Sequence, residues 1–161
     1  TRIYLKENNL TISTAESCTG GNVAHRITQQ SGSSAYFLGS IVSYANDVKA
    51  NVLNVKRSDL DNYGAVSQEV VESMAKGVAD LMHTDCAIAT SGIAGPDGGT
   101  TYKPVGTVWM AVKCGNTVIS DCKHFKGKRN DVIEAATNHS MVMLIKYLRD
   151  NFALEEDLTD E

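Results

Sequence analysis

A serine, a lysine and two glycine-rich segments are the parts of this chain best suited to chemistry. Ser17 stands in Thr14-Ala15-Glu16-Ser17-Cys18-Thr19-Gly20-Gly21, where a strand-like alternation gives way to a helical spacing. Amides of Cys18, Thr19, Gly20 and Gly21 at such a junction lack intrahelical partners. They can donate to a bound anion, or to the oxyanion formed when a hydroxyl attacks an amide carbonyl. Taken alone, the segment is explained more simply by Ser17 and Thr19 capping the helix, and it is not the GxSxG elbow of hydrolases. Lys49 follows Tyr44-Ala45-Asn46-Asp47-Val48, one turn into a short helix. A lysine held in a dry pocket has its pKa lowered and can accept a proton. Beside Ser17 it would be the general base of a Ser-Lys hydrolase. Most lysines on short helices are solvated, and spacing alone does not bring the two side chains together.

The second glycine-rich segment is Ser91-Gly92-Ile93-Ala94-Gly95-Pro96-Asp97-Gly98-Gly99. It is neither a P-loop nor GxGxxG. Close approach of backbone to a ligand and tight turns between strands explain its glycines equally well. Cys18, at a helix start where a thiolate is favoured, is a weaker nucleophile candidate. None of His25, His83, His124 and His139 carries the signature of its partner. Lys123-His124-Phe125-Lys126-Gly127-Lys128-Arg129 is the one basic cluster, able to meet a phosphate but more simply a solvated junction.

These residues need elements to hold them. A helix over residues 2–9 precedes a strand at Leu10–Thr14, and a helix with Val23, Ala24 and Ile27 inward ends at Ser31-Gly32-Ser33. Phe37–Tyr44 reads as a strand and Val48–Leu53 as a short helix. Ser67 caps a longer helix whose apolar face is Val70, Val71, Met74, Val78, Leu81 and Met82. Asp85–Ser91 is a strand covered on both faces. Strands near 105–113 and 117–125 form a hairpin across Cys114-Gly115-Asn116. A last helix from Asn130 to Asn151 faces Val132, Ala136, Met143, Leu144, Tyr147 and Leu148 inward. The alternation implies an α/β fold, a sandwich with a mixed sheet that includes one antiparallel hairpin. Both glycine-rich segments follow strands and so belong at the carboxyl edge, where open α/β sheets bind ligands.

The chain has 161 residues, suiting one domain over residues 1–152 followed by an acidic tail, 153–161, read as flexible. Setting aside the five acids of that tail leaves 14 acids against 15 bases. A neutral body lacks the basic face that a nucleic-acid binder uses to neutralise phosphates. No stretch approaches the roughly 18 apolar residues of a membrane span, and the N-terminal residues do not read as a signal peptide. Cys18, Cys86, Cys114 and Cys122 form no CxxC pair and have no histidine at metal-ligand spacing, so reduced thiols and no metal site are the expectation.

The ordered combination Thr14–Gly21, Tyr44 to Lys49, Gly64-Ala65-Val66-Ser67, Ser91–Gly99 and Lys103-Pro104-Val105-Gly106-Thr107-Val108 resembles the C-terminal domain of the competence/damage-inducible CinA family, from Leu10 to Leu148. The resemblance implies a cytoplasmic, three-layer α/β/α protein that forms homo-oligomers and needs neither metal nor cofactor. It also implies hydrolysis of nicotinamide mononucleotide to nicotinate mononucleotide and ammonia. Its serine falls on Ser17, its lysine on Lys49 and its tyrosine on Tyr44. The implied substrate contacts are Tyr44, Cys18, Thr19, Gly20, Gly21, Ser91, Gly92, Gly95 and Arg129, with a small nucleotide as partner. Three positions depart from the family pattern: Lys128 replaces an acid, Ile133 stands where an arginine is usual, and Ala45 replaces a polar residue. The alternative reading is a non-catalytic paralogue that binds a nucleotide as a regulatory module.

Overall fold

The computed structural model describes residues 1–152 and 154, so the acidic-tail reading lies outside the described residues apart from Leu154. The elements run α1 (Arg2–Glu7), β1 (Ile12–Glu16), α2 (Asn22–Thr28), β2 (Phe37–Val42), α3 (Asn46–Leu53), α4 (Arg57–Tyr63), α5 (Gln68–Met82), β3 (Cys86–Gly92), β4 (Thr107–Cys114), β5 (Thr117–His124) and α6 (Arg129–Asn151). The sheet order is β2-β1-β3-β4-β5. β1 lies parallel to both β2 and β3, while β3, β4 and β5 are antiparallel in turn. The sheet is therefore mixed and contains the expected hairpin.

Side chains alternate across each strand, and the two faces take different helices. On one face Ala15, Ala89 and Ala111 are register partners across β1, β3 and β4. This row of small side chains lets α5 lie close, with Val70, Val71, Met74, Ala75 and Val78 against it. The Ser67 cap is present, its hydroxyl accepting from the Val70 amide at 3.3 Å. On the other face Ile12, Ile88 and Val112 pack against Leu144 and Leu148 of α6, Val23 and Ile27 of α2, and Leu5 of α1. Helices on both faces of one mixed sheet make the α/β/α layering.

Three expectations are corrected. Leu81 is exposed, because Ala79 and Met82 continue the apolar stripe of α5 in its place. The second strand ends at Val42, leaving Tyr44 on the connection to α3. The third strand runs one residue beyond Ser91, so Gly92 closes β3 and does not open the loop. The short helix α4 carries Leu60 as its one buried residue, too little apolar periodicity to announce it. Among the described residues no helix is long and apolar enough to cross a membrane. Nor do three or more His, Cys, Asp or Glu side chains gather there as a metal site.

Candidate active site

β1 lies between β2 and β3, and its last residue, Glu16, pairs with Val42 and Thr90. The Ser43 amide donates to the Glu16 carbonyl at 2.7 Å, and the Ser17 amide to the Thr90 carbonyl at 3.1 Å. The chain after β1 is thus fixed on both sides. It sits where β1 leads to a helix on one face while β2 leads to helices on the other, the crevice in which open α/β sheets bind ligands. Alternation then sends consecutive residues apart: Ser17 faces α3, and Glu16 faces α2.

Lys49 reaches Ser17 from α3. Its Nζ lies 3.0 Å from Ser17 Oγ, 2.7 Å from the Ser43 carbonyl oxygen and 3.3 Å from the Tyr44 carbonyl oxygen. Lys49 is 1% exposed and Ser17 8%. Burial lowers the Lys49 pKa from its ordinary value, and among the described residues no carboxylate side chain contacts the amine to restore it. In the neutral amine two N–H bonds can serve the two carbonyls, leaving the lone pair toward Ser17 Oγ. A hydroxyl and a buried amine so placed can act as a nucleophile and its proton acceptor.

Glu16 is the residue that sequence reasoning passed over. It is fully buried and its carboxylate oxygens accept from the Val23 amide at 2.8 Å, the Ala24 amide at 3.0 Å and Thr19 Oγ1 at 2.6 Å. Thr14 Oγ1 at 3.2 Å and Ser40 Oγ at 3.5 Å complete its shell. The protein's own carboxylate thus caps the start of α2 through the Val23 and Ala24 amides, beyond the Cys18–Gly21 amides expected to meet an anion. Neither Ser17 nor Thr19 caps α2: the N-cap is Gly21, and the consecutive positive φ angles of Gly20 (60°) and Gly21 (102°) turn the chain over Glu16. The Gly20 amide is taken by the Ser17 carbonyl at 3.0 Å. The Thr19 hydroxyl is committed to Glu16 and to Thr90, the latter at 2.8 Å. The Cys18 and Thr19 amides retain no acceptor on another residue among the described residues.

A cleft of about 290 Å³ opens beside Ser17 and Lys49, bounded by Tyr44, by Ser91–Gly95 and by Arg129. Arg129 spans its mouth, donating to the Gly95 carbonyl at 2.8 Å and to the Tyr44 hydroxyl at 2.9 Å. The Ser91 hydroxyl is turned away to the Ala65 carbonyl at 2.8 Å. Gly92 is required by strand pairing, since a Cβ there would lie 2.7 Å from the Thr107 carbonyl oxygen. Asn46 and Asp97, both exposed polar residues, also line the cleft. They carry no separate signal in the sequence because they sit inside segments already assigned to other residues.

Thr19, Gly20 and Gly21 are not in this cleft. They line a neighbouring depression of about 400 Å³ together with Ile133 and Glu134. The position where an arginine was expected is therefore on the far side of the Ser17 turn, with Ile133 packed against the Val108, Met110 and Val132 cluster. Cys18 lines the Ser17 cleft, but burial pushes its thiol up to about 12, overriding the pull of Lys49 and Arg129. The thiolate expected of a helix-start cysteine is not favoured there.

Residues 2–148 match the CinA C-terminal domain. A CinA-like protein of Fusobacterium nucleatum is 47% identical over 146 residues, 91% of this chain and 35% of that protein. One of Geotalea uraniireducens is 51% identical over 127 residues, 79% of this chain and 30% of that protein. The chain thus spans about a third of the length of these curated relatives. Among solved structures, the competence/damage inducible protein CihA of Agrobacterium tumefaciens aligns with a TM-score of 0.87 at 38% identity, covering 92% of each chain. A CinA superfamily protein of Klebsiella pneumoniae aligns with a TM-score of 0.88 at 35% identity, covering 91% of this chain and 92% of that one. By fold, by motif and by these matches, the chain belongs to the CinA C-terminal domain family.

Proposed function

We propose that this domain is an amidohydrolase that converts nicotinamide mononucleotide to nicotinate mononucleotide and ammonia through Ser17 and Lys49. The observation that carries the proposal is the buried Lys49 amine, 3.0 Å from Ser17 Oγ and otherwise held by two carbonyls.

The chemistry follows from that contact. Ser17 Oγ attacks the carboxamide carbon while its proton passes to Lys49 Nζ. The resulting oxyanion takes a hydrogen bond from the Cys18 amide, which lines the cleft and donates to no other residue among the described residues. Lys49 returns the proton to the amide nitrogen, the C–N bond breaks and ammonia leaves. Water then attacks the Ser17 ester, giving its proton to Lys49. The C–Oγ bond breaks, Ser17 Oγ recovers that proton, and nicotinate mononucleotide is released. Arg129 is the cation of the cleft mouth and supports recognition of the substrate phosphate.

The rival reading, a nucleotide-binding module without turnover, rested on Ile133. That residue lies in the adjoining depression, so its identity leaves the Ser17–Lys49 contact intact. The test is incubation of purified protein with nicotinamide mononucleotide, following ammonia and nicotinate mononucleotide together. Stoichiometric appearance of both supports the proposal. Binding of the nucleotide without either product would favour the rival.

A further inference from the structure

We propose that Glu16 is a positioning residue: its buried carboxylate holds the Ser17 turn in the one arrangement that places Ser17 Oγ against Lys49. The inference rests on the amidohydrolase reading for its kinetic consequence. Its structural half stands on the hydrogen bonds alone.

Glu16 and Ser17 are adjacent, yet they face opposite sides of the sheet, so a change in one backbone direction moves both. Glu16 Oε1 accepts from the Val23 amide and Thr19 Oγ1, and Oε2 accepts from the Ala24 amide. These donors span the turn from its third residue to the first turn of α2. The N-cap of that helix, Gly21, offers no side chain, and no other described side chain accepts from its first amides. The carboxylate therefore fastens both ends of the Ser17–Gly21 turn to the end of β1, and Thr19 carries the link on to Thr90 of β3. It also occupies the Val23 and Ala24 amides internally, which leaves the Cys18 amide as the one that faces the cleft without an acceptor on another described residue.

Both carboxylate oxygens receive backbone N–H donors, so the chemistry distinguishes this role from mere filling of space. Glutamine has the same shape, but its NH2 would confront the Val23 or the Ala24 amide, donor against donor. Glu16→Gln is expected to lower kcat on the order of 10- to 100-fold through displacement of Ser17 from Lys49. KM stays within about threefold, because Arg129 and the Ser91–Gly98 segment hang on other elements. Leu148→Ala, in the core at the far end of α6, serves as a variant matched for lost stability and keeps the wild-type kcat.

The experiment measures kcat and KM for ammonia release in wild type, Glu16→Gln and Leu148→Ala, with melting curves for each. A kcat loss confined to Glu16→Gln bears the proposal out. Wild-type kcat in Glu16→Gln, or a loss expressed wholly in KM, overturns it. Should Glu16→Gln fail to fold, Thr19→Val removes one of the same hydrogen bonds at constant shape, and an unchanged kcat there overturns the proposal. Should wild type release no ammonia, the amidohydrolase reading falls by itself. A crystal structure of Glu16→Gln then decides: Ser17 Oγ displaced from Lys49 Nζ supports the positioning role, and a retained contact refutes it.

Discussion

Two strand ends meet at the cleft, and they are built differently. The turn after β1 spends its polar groups inward: Glu16, Thr19, Ser43 and Lys49 satisfy one another and the backbone around them. The long connection after β3 is mostly exposed from Pro96 to Lys103 and is tied down at a few points, by Arg129 to Gly95 and by Lys103 to the Tyr63 carbonyl at 2.6 Å. Under the proposed reaction, the first region fixes the reacting atoms before substrate arrives, which is where preorganisation lowers a barrier. The second presents backbone and an arginine to whatever enters. The proposed function thus assigns reaction and recognition to separate elements, and substitutions on the two sides should split between kcat and KM.

The largest effects belong to the β1 side. Ser17→Ala and Lys49→Met should each cost on the order of 10³-fold or more in kcat, measured as ammonia release. Lys49→Met should fold at least as firmly as wild type, since an apolar isostere replaces a desolvated amine. Next comes the recognition side. Arg129→Lys loses the planar fork that serves Gly95 and Tyr44 together and should raise KM about tenfold with a smaller change in kcat. A predominantly kcat effect would break the division.

Smaller effects test the supports. Gly77 of α5 lies against the Leu53 carbonyl at the end of α3, with the Leu53 carbonyl carbon 2.8 Å from where a Cβ would stand. Gly77→Ala should therefore cost about 1–3 kcal/mol by overpacking, outweighing the helix propensity it gains. Because α3 carries Lys49, kcat should fall with the melting temperature. The smallest effect is expected of Ile133→Arg: kcat and KM within about threefold of wild type, since the residue faces the neighbouring depression. A large gain in turnover would restore weight to the non-catalytic reading of this chain.

Much of this was legible before any coordinates. Strand and helix periodicity located β1, α5, β3 and α6 to within a few residues, and their order placed both glycine segments at one sheet edge. Glu16 was not legible, because a carboxylate at a strand end reads the same whether it meets solvent or caps a helix seven residues on. Its one signal was parity: Ile12, Thr14 and Glu16 share a face, and Ile12 faces the core. The separation of Thr19–Gly21 from the cleft was hidden for the same reason, since Glu16 draws that turn toward α2 through the Thr19 hydroxyl and the Val23 and Ala24 amides. Leu81 was misplaced because positions three and four beyond Val78 compete for the same stripe, and packing alone chose Met82.

The dry Ser17–Lys49 contact is the centre of the account, and titration reads it most directly. Lys49 has its pKa lowered by burial, so its proton is lost in the folded protein below the ordinary lysine value of 10.5. The unfolded chain holds more protons in that window, and stability should rise with pH there; Lys49→Met should remove that slope. The measurement is the NMR titration of the Lys49 side chain beside the pH dependence of kcat/KM for ammonia release. The account predicts one shared midpoint below 10.5, with activity rising as Lys49 becomes neutral. A Lys49 that titrates at its ordinary value, or activity with no limb at its midpoint, would contradict it.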